Sequence, residues 1–76
     1  METLISILKD LHPEVDFEKE NGLIDNGILN SFDIVSIIAE VDDTMGVSIP
    51  ADEIIPENFN SAAALYEMIE RLSDEF

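Results

Sequence analysis

The chain contains no cysteine, which excludes disulfide staples, zinc thiolate sites and thiol nucleophiles together. Thiol redox chemistry is closed to it. Basic residues are nearly as scarce: Lys9, Lys19 and Arg71 are the only three, with none between Lys19 and Arg71. Such a surface repels nucleic acid phosphates and anionic membranes, so neither is expected as a partner. No apolar run approaches the ~20 residues that cross a bilayer. The opening residues set Glu2, Lys9 and Asp10 among apolar positions and do not read as a signal peptide. A cytoplasmic protein without membrane insertion is therefore expected. Histidine occurs once, as His12, directly before Pro13. With no evident base close to any serine in sequence, the inventory for enzyme catalysis is missing. His12 itself reads as a surface residue at a helix end, its cation facing the last carbonyls.

Acidic and apolar residues are abundant. Eighteen carboxylates bring the formal net charge to −15, while hydrophobic residues make up 46% of the 76 positions. That apolar content is too high for a disordered acidic tail, so the chain folds, and its length fits one domain over residues 1–76, expected to be a monomer. The acidity either maintains solubility or steers the chain toward basic protein partners. It does not build a calcium loop of the helix-loop-helix kind, because neither Asp25-Asn26-Gly27 nor Asp42-Asp43 keeps the required ligand spacing.

Leu4, Ile5, Ile7, Leu8 and Leu11 recur at helical spacing and predict a first helix over Thr3 to Leu11, ended by His12-Pro13. Glu14 to Asn30 shows no sustained period. It carries the turn signals Asn21-Gly22 and Asn26-Gly27, with Val15, Phe17, Leu23, Ile24, Ile28 and Leu29 as scattered apolar anchors, and reads as a long loop pinned to a core. Ser31 to Met45 is the strongest helix, with Asn30 as N-cap, Asp33 three residues on and Gly46 just past its end. Val47 to Pro50 reads as extended, Ala51 to Ile54 as a short helical turn that Pro56 stops. Asn60 or Ser61 caps a last helix that turns Ala62, Leu65, Met68, Ile69 and Leu72 inward. These elements make an all-α fold, a small helical bundle with a short third helix and a long loop between the first two.

A helical wheel of the central helix, with Phe32 at zero, places Ile34, Ile37, Ile38, Val41 and Met45 between roughly 140° and 240° as the buried face. Asp33, Ser36, Glu40 and Asp43 fall between about 20° and 100° as a polar ridge without counter-charge, either simply solvated or offered to a basic partner. Phe32 lies beside the ridge and is either covered by the preceding loop or exposed as an apolar recognition anchor. Ser31, in the first turn, reads on spacing alone as a second capping candidate. A helix N-terminus with its unpaired N–H groups also suits a phosphodiester.

The run Gly22-Leu23-Ile24-Asp25-Asn26-Gly27-Ile28-Leu29-Asn30-Ser31-Phe32-Asp33-Ile34-Val35 resembles the phosphopantetheine attachment region of the acyl and peptidyl carrier protein family. The resemblance extends over nearly the whole chain, through the acidic second helix, the segment Gly46-Val47-Ser48-Ile49-Pro50 and the start of the last helix at Asn58-Phe59-Asn60-Ser61. It departs from the family's Asp-Ser-Leu pattern by Asn30 before the serine and Phe32 after it. Asn30 keeps the capping role but brings no carboxylate to cofactor attachment.

What the resemblance implies is a four-helix bundle of the acyl carrier protein type. A phosphopantetheinyl transferase, using its own magnesium, would move 4′-phosphopantetheine from coenzyme A to the Ser31 hydroxyl. The arm's thiol then carries an acyl or aminoacyl thioester, which fits a chain that has no sulfhydryl of its own. Acyl- or aminoacyl-loading and processing enzymes with basic docking patches would meet Phe32, Asp33, Ser36, Glu40 and Asp43, together with the segment at Ile54 and Ile55. Fatty acyl, polyketide, peptidyl and D-alanyl cargoes all remain open, with Phe32 leaning toward aminoacyl or specialised acyl pathways. The alternative is a carrier-like acidic module that docks on basic partners without being modified.

The uncompensated charge yields the first prediction. Moderate salt screens self-repulsion, so the melting temperature followed by circular dichroism rises as salt is added; a fall with salt contradicts this account.

Overall fold

The computed structural model describes residues 2–74, which form four α-helices and one 3-10 turn within 33 × 22 × 21 Å. Helix α1 spans Glu2–Leu11, with Glu2 in its first turn and Lys9 in its last, both on the side the helix dipole favours. Its inward face is Leu4, Ile7 and Leu8. Helix α2, Ser31–Met45, buries Ile37 and Val41 and half-buries Ile34, Ile38 and Met45, as the apolar stripe requires. It ends at Gly46, whose φ of 69° is the left-handed conformation glycine adopts without a Cβ penalty, and the Gly46 N–H donates to the Asp42 carbonyl at 3.1 Å.

Between α1 and α2 the chain runs through successive turns rather than regular structure. Phe17, Leu23 and Leu29 are buried, and Val15, Ile24 and Ile28 lie against the same core, so a segment of turn-type hydrogen bonds is held to the bundle by its anchors. Its middle is tied to the far end of the chain. The Leu23 N–H donates to the Asn60 carbonyl at 2.9 Å, and the Asn60 Oδ1 accepts from the Ile24 and Asp25 amides at 3.0 and 3.1 Å.

Beyond α2, Val47 and Ile49 alternate inward while Ser48 and Pro50 face out, and among the described residues no strand forms. A 3-10 turn at Ala51–Glu53 follows, then α3, Pro56–Phe59. The expected turn forms and ends before Pro56, with Ile55 extended, but Pro56 also opens a second helical turn that the sequence reading lacked. At the first helical position its missing N–H is not needed and its fixed φ suits the helix. Helix α4, Ala62–Asp74, buries Ala62, Leu65, Met68, Ile69 and Leu72. The Ser61 hydroxyl is its cap, accepting from the Ala64 amide at 3.0 Å, because the Asn60 side chain is committed to the loop. Helix α1 packs on both α2 and α4, and α3 on α4, around one core. The fold is a small four-helix bundle of the acyl carrier protein type, as expected.

The burial contrast between two phenylalanines is directly testable. Phe17→Ala empties a core site in a loop and should lower the unfolding free energy by about 3–5 kcal/mol, a large share of the ~4–11 kcal/mol expected for this length. Phe32→Ala, at an exposed position, should shift it by no more than about 0.5 kcal/mol in the same urea titration.

Candidate functional site

The mouth of α2 is built around Asn30. Its Oδ1 accepts the Asp33 amide at 2.9 Å, the Asp33 Oδ2 accepts the Asn30 amide at 3.2 Å, and the Ile34 amide donates to the Asn30 carbonyl at 3.0 Å. This reciprocal capping box makes the turn from loop to helix abrupt and satisfies two otherwise orphaned donors. Ser31 is the first residue inside it and is exposed to solvent. Capping by Asn30 leaves the Ser31 hydroxyl out of that role.

The neighbouring side chains separate into an apolar rim and an acidic flank. Phe32 is 76% exposed, so the preceding loop does not cover it. Val35, one turn on, is 64% exposed and extends the apolar surface. Val35 was absent from the sequence-based candidates, although its wheel position, at roughly 300°, lies well outside the buried arc. Ile54 and Ile55 are partly exposed on the far side of a cleft of about 210 Å³, whose walls also include Ile24, Ile34, Pro56 and Phe59. Glu53 holds that wall in place: it takes a two-pronged hydrogen bond from the Arg71 guanidinium at 2.8 and 2.9 Å and a third from the Asn58 amide at 3.1 Å. The Arg71 guanidinium is the main reason the Glu53 carboxyl sits below its ordinary pKa. A larger open groove of about 390 Å³ runs between α1 and the C-terminal half of α2, away from Ser31, and is lined by Glu2, Asp10 and Glu40 among others.

On the acidic flank, Glu40 and Asp43 are exposed and Ser36 is half-buried. Asp33 corrects the expected ridge. Its side chain is only 12% exposed, turned inward between α1 and α2, and its Oδ2 lies 2.9 Å from the His12 Nε2. Of the four ridge positions it lies closest to the buried arc on the wheel, so a small rotation brings it inside. His12 is corrected with it, since it is half-buried between two carboxylates instead of facing the last carbonyls of α1, with its Nδ1 3.3 Å from the Glu14 Oε1. No sequence signal joined residues 12 and 33; the Asn30 and Asp33 spacing marked a cap but not its third member.

Burial opposes charge on Asp33, yet the hydrogen bonds from His12 and the Asn30 amide and the imidazolium charge outweigh it, holding the carboxyl below its ordinary 3.8. The bond to Asp33 raises His12 above its ordinary 6.5 against partial desolvation, helped by Glu14. Among the described residues no cluster of three or more His, Asp or Glu side chains is arranged to hold a metal ion, and no helix is long and apolar enough to cross a membrane.

An acidic four-helix bundle with an uncapped serine hydroxyl at the mouth of its second helix is the architecture of a carrier protein. No family model matches the chain. Over 71 residues it is 31% identical to "D-alanyl carrier protein 1" of Lactiplantibacillus plantarum, covering 92% of this chain and 89% of that protein. The chain belongs to the carrier-protein family, whose members are not themselves enzymes.

The His12 and Asp33 pair sets a pH window. The lowered Asp33 contributes stability above pH 3.8 that is lost as pH falls through its folded value; the raised His12 contributes stability below pH 6.5 that is lost as pH rises through its folded value. The stability difference between the wild type and Asp33→Asn should therefore be greatest between these limits, about 1–2 kcal/mol, and shrink on both sides in denaturant titrations across pH.

Proposed function

We propose that the chain carries acyl or aminoacyl cargo on a 4′-phosphopantetheine arm attached to the Ser31 hydroxyl, and that the cargo is D-alanyl. The observation that carries the reading is the exposed Ser31 at a helix mouth whose cap is supplied by Asn30. The residue that would be modified has no other structural task there. The fit of the arm is supported by the site's chemistry. The first amides of α2 have no intrahelical acceptor and lie at the positive end of the helix dipole, where a phosphodiester anion is favoured. The arm, when attached, supplies the thiol that the protein lacks and on which cargo is held as a thioester.

In attachment, the Ser31 oxygen forms a bond to the phosphorus of coenzyme A nearest the pantetheine, the phosphoanhydride breaks, and adenosine 3′,5′-bisphosphate leaves. The Ser31 proton passes to a base on the transferase, because Asp33 is turned inward and already accepts from His12 and the Asn30 amide. This chain presents the hydroxyl and the partner does the chemistry.

Loading enzymes would be drawn first by Glu40 and Asp43, whose charge acts at a distance, and then held by Phe32, Val35, Ile54 and Ile55, which lose water on contact. The D-alanyl assignment is supported by the name of the bacterial relative and by the exposed Phe32, which suits a specialised partner.

Intact mass after incubation of the apo protein with coenzyme A, magnesium and a broad-specificity phosphopantetheinyl transferase tests the attachment. One arm is expected on the wild type and none on Ser31→Ala; an unmodified wild type favours the unmodified docking module instead. Addition of ATP and a D-alanine-activating ligase should then load D-alanine onto the modified protein, and loading with another acyl group but not D-alanine would overturn the cargo assignment alone.

A further inference from the structure

We propose that His12 is a positioning residue for the modification of Ser31, holding the mouth of α2 in its hydroxyl-presenting form through Asp33, and doing so fully only while its imidazole is a cation. This rests on the reading of Ser31 as the attachment site.

Three hydrogen bonds fix Asn30, the residue immediately before Ser31, and two of them use Asp33. One of the three, from the Asn30 amide, is accepted by the Asp33 carboxylate, whose orientation therefore helps set the backbone from which Ser31 projects. That carboxylate is gripped from outside α2 by the His12 Nε2 at 2.9 Å. His12 is itself fixed, since its backbone N–H donates to the Leu8 carbonyl at 3.0 Å at the end of α1. The chain of contacts runs from the end of α1, through His12, Asp33 and Asn30, to Ser31.

Both ring nitrogens of His12 face carboxylates, Nε2 toward Asp33 and Nδ1 toward Glu14 at 3.3 Å. Only the imidazolium has an N–H for each; the neutral ring has one, and its other nitrogen turns a lone pair on a carboxylate. The charged groups around the ring are Asp33 from α2, Glu14 from the loop and, on α1, Lys9, whose Nζ is 3.5 Å from the Pro13 carbonyl. The two carboxylates favour the cation, while the Lys9 ammonium is turned to the Pro13 carbonyl. The raised pKa of His12 agrees with that geometry. On deprotonation the exposed Glu14 can swing away, whereas the buried Asp33 cannot, and its bond weakens from one between two ions to one between a neutral ring N–H and a carboxylate. With the imidazolium charge gone the Asp33 carboxylate is held less firmly, and the capping box that orients Ser31 loosens with it.

The test compares transferase-catalysed attachment of the arm, as kcat/KM with coenzyme A, on the wild-type apo protein, His12→Ala and His12→Gln, from about pH 5.5 to about pH 8.5. The ratio of wild type to variant cancels the transferase's own ionisations. His12 is the only histidine, so the midpoint of its ring-proton NMR titration is read on the same sample without assignment. The ratio of wild type to His12→Ala is expected to be about fivefold on the acid side, the size of losing one helix cap, and to fall toward one as pH passes that midpoint. Glutamine, a neutral donor, should give a smaller deficit on the acid side, and it carries the comparison should the alanine variant fail to fold. A ratio independent of pH marks a merely structural contact and overturns the proposal, as does a ratio of one throughout. Absence of an arm on the wild type overturns the Ser31 reading and this proposal with it, whereas an arm on the wild type with flat ratios overturns this proposal alone.

Discussion

The buried carboxylate of Asp33 is the constraint around which the functional end of the molecule is arranged. A carboxylate removed from water needs several donors, and here they come from different parts of the chain: the Asn30 amide from the loop's end and the His12 ring from just beyond α1. That one group therefore links the residue just after α1 to the first turn of α2. Among the described residues no buried side-chain nitrogen or oxygen is left without a partner, so the polar cluster is complete as it stands. A capping interaction that is usually local has become a tertiary one.

The helices were legible in the sequence because their apolar residues recur at helical spacing and because the caps are of common types. Leu4 and Leu8 on α1, Ile37 and Val41 on α2, and Leu65, Met68 and Leu72 on α4 are all buried as their spacing requires. The loop was legible as a set of anchors, and Phe17, Leu23 and Leu29 fill that role. What could not be read was the pairing of His12 with Asp33, since hydrophobic periodicity carries no information about which polar groups meet across 21 residues of sequence. A wheel assigns a direction to each Cβ but not the bend of a short side chain, and Asp33 lay on the border. The helical turn that begins at Pro56 escaped the sequence for a different reason: the same ring that ends one helical segment can open the next, and here it does both.

In the proposed function, recognition and reaction are divided between different side chains. Exposed carboxylates act over a distance of about one Debye length, ~8–10 Å in physiological salt, and are indifferent to fine geometry. Phe32 and Val35 act only in contact and are sensitive to shape. Neither group would touch the reaction proposed at Ser31, so under that proposal different partners could read the same surface while the attachment point stays unchanged. The Glu53 and Arg71 pair extends this division to the far wall of the cleft, where it holds Ile54 and Ile55 from behind without contributing to the surface's apolar character.

Asn60 gives the loop a dependence that its position in the chain does not suggest. Its side-chain oxygen accepts two amides, from Ile24 and Asp25, its Nδ2 donates to the Asp25 carboxylate, and its carbonyl accepts a third amide, from Leu23. Residues that precede α2 are thus bound to the residue just before the cap of α4. In terms of cooperative unfolding, the approach to the serine is therefore coupled to the start of the last helix as well as to the helix it leads into. During synthesis the loop lacks this anchor until Asn60 has left the ribosome, so the serine gains its final framework only when most of the domain is already made.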